Sequence, residues 1–248
     1  MATLVGTPSD EVPEILATGR SDVSTLFVSF SARHPEGRDG QYIEWHSLDH
    51  RPEQHRLSSL RASLRLVSTA ACRDARAVSA ERFDAVDHVM SYFFAGADLT
   101  GFVDLSTALR EAGRTPELLP LVERGVYGLS GMLAAPRIKV GADVLPWWPA
   151  VGYYLLVEEC GASPADLVAH PGVGGAWWFT GDADDSSETS AVTRGLQCTY
   201  LSLDEDPVAV AVALRPALQE RWSEGSSLPL LAAPFYPITP YRWDRYLP

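Results

Sequence analysis

Apolar and polar residues alternate, or short apolar runs recur, in eight segments of the chain, and both patterns are typical of β-strands. In the second of these segments Leu64 and Leu66 share one face and Arg65 lies on the other, which predicts a half-buried strand. The predicted strands are residues 26–33, 61–69, 84–95, 122–133, 153–158, 175–180, 196–203 and 228–233. Helices are predicted between them, at residues 39–51, 99–112, 164–169 and 207–224.

Proline and aspartate mark the ends of two of these helices. Pro52 disfavours the α region in the residue before it, so the first helix is expected to end near Arg51. Asp206 is a good N-cap for the last helix, with Pro207 at the first helical position. Pro216 lies inside that helix and predicts a kink.

The order of the predicted elements is β-α-β-β-α-β, twice in succession, which is the order of a ferredoxin-like unit. We therefore predict an α+β fold with repeat 1 at residues 24–135 and a less regular repeat 2 at 147–233. Their sheets are expected to pack face to face and to exclude water from the space between them. Residues 1–23 are predicted to be an N-terminal arm, and the proline- and aromatic-rich residues 234–248 an extended tail. The charged polar segment 181–190 predicts a mobile loop.

The charge balance excludes one class of partner. Lys and Arg total 20 and Asp and Glu total 32, so the formal net charge is −12. Nucleic acids and anionic membranes need a basic face, so we expect neither as a partner. The three cysteines, Cys72, Cys160 and Cys198, form no CxxC pair, and the first twenty residues contain no apolar block. A soluble cytoplasmic protein is the expectation.

The predicted helix at 39–51 carries unusual residues on the face that would be buried. Positions i, i+3, i+4, i+7 and i+8 normally hold aliphatic residues that face the core. Here they are Tyr42, Trp45, His46, Asp49 and His50. Ionisable groups are seldom buried without partners, so this face is predicted to overlook a cavity.

His88 occupies a second informative segment. In a strand it would share one face with apolar and aromatic residues: Val86, Met90, Tyr92 and Phe94. Large apolar side chains with few polar groups are typical of a small-molecule pocket. For His88 taken alone, a satisfied core histidine is the competing interpretation.

A metal site is an alternative use of the same helix. His46 and His50 are spaced to bind one divalent ion on a helix face, with Glu53 or His88 as a third ligand. No HExxH motif, nucleophile elbow, P-loop or GxGxxG after a strand is present, so serine-based hydrolysis and nucleotide chemistry are poorly supported.

Several short motifs resemble those of a known superfamily. Tyr42-Ile43-Glu44-Trp45-His46 followed by His50-Arg51-Pro52, and then Leu60-Arg61-Ala62, resembles the first helix and second strand of dimeric α/β-barrel proteins, most closely the EthD-like group. The segment from Asp84 to His88, with Phe93-Phe94, is similar to the third strand of that group. The resemblance implies an internally duplicated chain, with two ferredoxin-like halves forming one barrel around an apolar cavity that His50 faces. The superfamily includes cofactor-free monooxygenases, isomerases, cyclases and haem enzymes, so the fold does not name the reaction.

Together these observations predict a cofactor-independent enzyme that acts on a hydrophobic, cyclic or aromatic small molecule by proton transfer. The reaction would be isomerase, cyclase, lyase or monooxygenase chemistry, with His50 or His46 as general base. Asp49 or Asp87 would orient an imidazole. Tyr42 and Tyr92 would donate hydrogen bonds to a developing oxyanion. The apolar walls of the site would be Trp45, Val86, Met90 and Phe94.

Two further hypotheses stay open. The same histidines could bind haem or a divalent metal, and the chain could be a non-catalytic module that binds a hydrophobic ligand. A homodimer is also left open by the sequence.

Overall fold

The computed structural model describes residues 4–12, 14–181, 194–223, 225 and 227–248, which form an α+β fold. The predicted loop at 181–190 falls outside the described residues except for Gly181. The strands are β1 (Thr25–Ser31), β2 (Leu60–Val67), β3 (Val78–Ser79), β4 (His88–Phe94), β5 (Leu121–Ala134), β6 (Gly152–Glu159), β7 (Val173–Thr180), β8 (Leu196–Leu203) and β9 (Leu228–Pro237). All eight predicted strands are confirmed, and the short β3 is an addition.

The α-helices of the described residues are α1 (Asp39–Trp45), α2 (Arg51–Gln54), α3 (Ala70–Asp74), α4 (Thr100–Glu111), α5 (Ala165–Val168) and α6 (Pro207–Ser223). Asp206 caps α6 as predicted, because its Oδ1 accepts hydrogen bonds from the backbone N–H groups of Val208 and Ala209, each at 3.0 Å. Among the described residues, no helix is both long enough and apolar enough to cross a bilayer.

The strands form one antiparallel sheet in the order β2-β4-β1-β5-β7-β8-β6-β9-β3, and β2 also pairs with β9. The four long strands of the first unit (β1, β2, β4 and β5) and the four of the second unit (β6 to β9) have the same relative order: second, third, first, fourth. β5 is 14 residues long and continues past β1 to pair with β7. The two units are therefore joined edge to edge within one sheet, and the prediction of two separate sheets is wrong.

Side chains from both units nevertheless meet in one apolar cluster on one face of this sheet, as predicted for a shared interior. It includes Phe30 and Phe93 from the first unit and Phe179, Tyr200 and Phe235 from the second. On the other face, α6 covers a second cluster around Tyr154 and Leu201. α4 covers a third, smaller cluster on the first unit.

Three sequence predictions differ from the structure in ways that bear on the site. β9 runs to Pro237 rather than ending at 233, because Phe235 pairs with Tyr153 and is fully buried in the shared cluster. The helix predicted to end near Arg51 continues to Gln54, because a π-helical turn at His46–His50 places Pro52 in the first turn of a new α-helix, where a missing N–H is tolerated.

The third difference concerns Val86. The alternation of β4 begins at His88, because residues before it turn: the backbone N–H of Val86 donates to Phe83 and that of Asp87 donates to Ser31. Val86 therefore packs in the shared cluster and not beside Met90, Tyr92 and Phe94, which belong to the cluster under α4.

Candidate functional site

The segment 39–54 lies over β2 and β4 and brings its histidines to the outer face of the sheet. It begins as α1, passes through the π-helical turn His46–His50 and continues as α2. The backbone N–H of Arg51 donates to the carbonyl of His46, five residues back. Single π turns within α-helices are frequent at functional sites. Here the wider turn holds the rings of His46 and His50 5.6 Å apart.

His46 is sealed between this turn and β4. It is 3% exposed, and its Nε2 lies 3.2 Å from the hydroxyl of Tyr92, which is also 3% exposed. Burial, followed by the positive charge of Arg65, holds the pKa of His46 well below its usual range. Burial likewise raises the pKa of Tyr92. At neutral pH the pair is therefore a neutral imidazole against a neutral phenol.

His88 forms a dyad with Asp39. Its Nε2 lies 2.8 Å from Oδ1 of Asp39, and the same oxygen accepts the backbone N–H of His34 at 2.8 Å. Burial lowers the pKa of His88 to about 4, although the hydrogen bond to Asp39 acts in the opposite direction. The two N–H donors outweigh the effect of burial on Asp39, so the pKa of this carboxyl is lowered and it is ionised.

Arg65 lies among these groups, although the alternation of β2 places it on the polar face. It is 3% exposed, since segment 39–54 covers this part of the sheet. Its guanidinium carbon lies 5.0 Å from the centre of the Tyr42 ring, in a cation–π contact. Its charge contributes to the lowered pKa values of both His46 and His88.

His50 stands at the more open end of the site, half-buried beside Trp45, with 5.4 Å between the ring centres. Gln54 is fully buried, and its Nε2 lies 3.3 Å from Nε2 of His50 while donating to Oγ of Ser106 at 2.8 Å. Burial lowers the pKa of His50, and the charge of Asp49 partly offsets this. His50 is therefore a second neutral imidazole within the same site.

We call this group the buried polar cluster: Asp39, Tyr42, His46, His50, Gln54, Arg65, His88 and Tyr92. Within the described residues, six of its buried polar atoms have no hydrogen-bond partner: Nδ1 of His46, His50 and His88, Oε1 of Gln54, and Nε and Nη2 of Arg65. Buried polar atoms in folded proteins are almost always hydrogen-bonded. Six in one place make the buried polar cluster the candidate functional site of the described residues.

Several predicted site residues lie elsewhere. Asp49 and Glu53 face Arg114, with N···O distances of 3.1 Å, and Glu53 also binds Arg56. Asp87 binds Arg73 and accepts the backbone N–H of Arg33. These carboxylates are engaged by arginines, so neither Asp49 nor Asp87 hydrogen-bonds to an imidazole, as far as the described residues show. Asp39 does so instead.

The predicted apolar wall is filled by the protein itself. Met90, Tyr92 and Phe94 pack with Leu60 and with Phe102 of α4, and the Tyr92 and Phe102 rings are 4.8 Å apart. Tyr42 and Trp45 remain half-buried and reach the surface, with 5.4 Å between their rings. Of the predicted contacts, those two aromatic rings are the ones that a ligand could approach.

Three members of the cluster are absent from the sequence prediction: Asp39, Gln54 and Arg65. Asp39 lies 49 residues from His88 along the chain, and Gln54 is 52 residues from Ser106. No local pattern signals such pairs. The one available signal for Arg65 is its place in β2, on the face opposite Leu64 and Leu66. That strand precedes β4, which carries His88.

The donor set does not fit a divalent metal ion. The described residues contain no group of three His, Cys, Asp or Glu side chains able to hold a metal ion. The third ligand proposed from the sequence, Glu53, binds two arginines. The Nε2 atoms of His46, His50 and His88 contact Tyr92, Gln54 and Asp39, and the guanidinium of Arg65 would repel a bound cation.

Comparison with known proteins supports the fold. No family model matches the chain, and no curated protein matches it. Solved structures do match, at low identity. One, provisionally assigned as a chlorite dismutase, has a TM-score of 0.52 and 10% identity, covering 89% of this chain and 97% of that chain.

Two other solved structures are less similar. An anthrone oxidase-like protein has a TM-score of 0.48 and 12% identity, covering 88% of this chain and 94% of that one. A dye-decolorizing protein from V. cholerae has a TM-score of 0.48 and 10% identity, covering 91% and 97%. At these identities the likeness concerns the fold: the chain has the ferredoxin-like α+β arrangement of the first of these proteins.

Proposed function

We propose that the protein is a cofactor-independent enzyme that moves a proton on a hydrophobic, cyclic or aromatic small molecule, with a buried imidazole as general base. Isomerase, cyclase and lyase reactions all begin with such a step, and so does oxygenation through an enolate. The observation that carries the proposal is the pair of neutral imidazoles, His46 and His50, whose Nδ1 atoms have no partner within the described residues.

A general base must be unprotonated at the working pH and within reach of the proton it takes. Burial meets the first requirement for both histidines, since it lowers their pKa values. Burial also helps in another way, because desolvation strengthens each electrostatic interaction with the reacting atoms. The Nδ1 atoms have no partner among the described residues, so each can contact a ligand.

The hydrogen bonds favour different roles for the two rings. Gln54 donates an amide N–H toward Nε2 of His50, so the proton of His50 resides on Nδ1, where it can be donated to an oxyanion. His46 can donate its Nε2 proton to the hydroxyl of Tyr92, which leaves Nδ1 as the basic atom. We therefore assign His46 as the base, Tyr92 as the residue that positions it, and His50 as the hydrogen-bond donor.

The shape of the site supports an aromatic or cyclic ligand. Tyr42 stacks on His46 with 28° between the ring planes, and Trp45 lies 5.4 Å from His50. Both Tyr42 and Trp45 are half-buried, whereas His46 is sealed beneath them. A flat ring that packs against these aromatic side chains would keep water away from the imidazoles.

We also propose that the sheet is a closed barrel that arose by internal duplication, as in the EthD-like resemblance. The β2–β9 pairing, together with the β5–β7 pairing, supports closure. The equal strand order of the two units supports duplication. In repeat 2 the face that would correspond to the buried polar cluster carries the apolar cluster under α5 and α6, so repeat 1 alone is assigned the chemistry.

Proton exchange tests the proposed function without knowledge of the natural substrate. A panel of cyclic and aromatic ketones with an acidic C–H, such as 2-tetralone, is incubated with the protein in D₂O, and loss of the C–H signal is followed by NMR. We expect catalysed exchange that falls by about 10²–10⁴-fold in His46→Gln. The oxygen electrode, run on the same panel, separates oxygenation from isomerisation.

His55 is the matched control. It follows α2 and contacts Ser63 outside the buried polar cluster, so His55→Gln is expected to leave exchange unchanged. Exchange no faster than in imidazole buffer for the whole panel, or equal rates in the wild type and in His46→Gln, would contradict the proposal.

A further inference from the structure

The charge on Arg65 is unusual for a buried side chain. Its Nε and Nη2 atoms are buried, and within the described residues neither has a hydrogen-bond partner. It forms no ion pair within 4 Å in that part of the chain. The carboxylate whose charge reaches it, Asp39, is engaged by His88 and by the backbone of His34. A buried guanidinium without a counter-charge is costly, and an anion from outside the chain would offset that cost.

The two free atoms lie on one edge of the guanidinium. Nε and Nη2 donate in parallel, and this fork matches the two oxygens of a carboxylate or the oxygen atoms of a conjugated enolate. Tyr42 lies against the guanidinium at 5.0 Å and fixes its plane. The donors are therefore held in place before any ligand arrives, which lowers the entropy cost of binding.

The neighbours of Arg65 carry no charge that competes for its guanidinium. Nδ1 of His46 and Nδ1 of His88 have no partner in the described part of the chain, and both rings are neutral. Tyr92 keeps its proton. The site thus offers a cation and polar neutral groups, and its one carboxylate is already paired.

We propose that Arg65 binds a planar oxyanion of the ligand, so that the substrate class is a cyclic or aromatic compound carrying a carboxylate or an acidic enol. This inference rests on the proposed function in one respect only, namely that the ligand bound there is the substrate. Arg65 anchors the negative oxygen, and the ring lies against Tyr42 and Trp45. An enolate formed by loss of a proton to His46 would be stabilised by the same guanidinium.

Paired probes test the anion site. Binding of 2-naphthoate and of its neutral counterpart 2-naphthamide is measured by isothermal titration calorimetry on the full chain. We expect the wild type to bind the carboxylate at least 10-fold more tightly than the amide. Arg65→Met should reduce this preference to less than 2-fold, and Arg65→Lys should retain only part of it, because lysine keeps the charge but lacks the fork.

Arg56→Met is the control, since Arg56 is exposed and binds Glu53 at the surface; its preference should match the wild type. The thermal midpoint of Arg65→Met is expected to equal or exceed that of the wild type, because an unpaired buried charge is removed. Equal affinity for both probes in the wild type, no saturable binding of naphthoate, or an undiminished preference in both Arg65 variants would overturn the proposal. If Arg65→Met does not fold, Arg65→Lys decides.

The outcomes for Arg65 and for the proposed function are separable. His46→Gln should keep the preference for naphthoate while losing proton exchange. A protein that selects naphthoate through Arg65 but catalyses no exchange is an anion-binding module, and the proposed function then fails while the anion site stands. Exchange that depends on His46 but not on the ligand's charge would support the proposed function and contradict the anion site at Arg65.

Discussion

Nε2 of His46, in the π-helical turn, lies 3.2 Å from the hydroxyl of Tyr92 in β4, and both side chains are 3% exposed. This hydrogen bond joins the helical segment 39–54 to the sheet beneath it. It also leaves Nδ1 as the imidazole atom that can face a ligand. Tyr92 packs in turn against Phe102 of α4, so the orientation of His46 depends indirectly on how α4 packs on the sheet.

Removing the Tyr92 hydroxyl should loosen this contact. In Tyr92→Phe we expect the free energy of unfolding to fall by about 1 kcal/mol or slightly more, because a buried imidazole nitrogen loses its partner. Urea denaturation measures the change. Tyr241→Phe is the control: Tyr241 is 80% exposed, and its variant should stay within about 0.5 kcal/mol of the wild type. Equal stabilities for the two variants would mean that the His46–Tyr92 contact contributes nothing.

Stability should fall as the solution is acidified from pH 6.5 to pH 4. The pKa of His88 is about 4 in the folded protein and about 6.5 when unfolded, so in this range the unfolded chain binds a proton that the folded chain does not. The loss is about 1.4 kcal/mol per pH unit and about 3 kcal/mol in all. His46, whose pKa is lowered in the same direction, adds to the slope.

Urea denaturation at several pH values between 4 and 7 measures this slope. His88→Gln should make the slope shallower, because one of the histidines that titrate in this range is gone. His170→Gln changes a half-buried histidine outside the cluster and should keep the wild-type slope. A slope in His88→Gln as steep as in the wild type would show that His88 is not the group responsible.

The stability of the β5–β7 pairing, which joins the two units, should depend on Gly175. A Cβ on Gly175 would lie 2.6 Å from the carbonyl oxygen of Leu133 and 2.6 Å from Cδ1 of Leu145. Gly175→Ala is therefore expected to destabilise by about 1–3 kcal/mol, as overpacking does. Gly128, in the same β5–β7 pairing, has 3.9 Å of clearance to its nearest neighbour, so Gly128→Ala should cost less than about 1 kcal/mol. Thermal or urea unfolding compares the two, and similar losses would argue against the close packing at Gly175.

For a buried ion pair far from the site, removing one partner should cost more stability than replacing both. Arg221 binds both oxygens of Glu158 at 3.1 Å, and Glu158 also accepts from Trp222 and Ser227 at 2.9 Å. Arg221→Met should destabilise by about 3–5 kcal/mol because it leaves a buried, unpaired carboxylate. The double variant with Glu158→Met should recover much of that loss. A double variant no more stable than Arg221→Met would contradict this account.

The secondary structure could be predicted from the sequence because its signals are local. Alternation of period two or a short apolar run marked every long strand, and Asp206 with Pro207 marked the start of α6. The helix boundary at Arg51 was wrong, since a π turn accommodates Pro52 and no sequence pattern announces such a turn. Val86 was predicted on the wrong face because the alternation was extended to two residues before His88, where β4 begins.

The candidate site was predictable in part. The stripe with His46 and His50 is local, so its unusual composition was visible along the helix. Its partners were not visible. Asp49 and Asp87 are the acidic groups nearest in sequence, yet Arg114 and Arg73 engage them, and Asp39 binds His88 from 49 residues away.

The sequence by itself determined the long strands and the helix that carries the histidines, because each of these depends on the spacing of neighbouring residues. Only the tertiary structure decided which face of β2 and β4 is covered by segment 39–54, and hence that Arg65 is buried with two free donors beside neutral histidines. Burial of a polar residue depends on which element covers it. The alternation of a strand separates its two faces but does not show what lies over them.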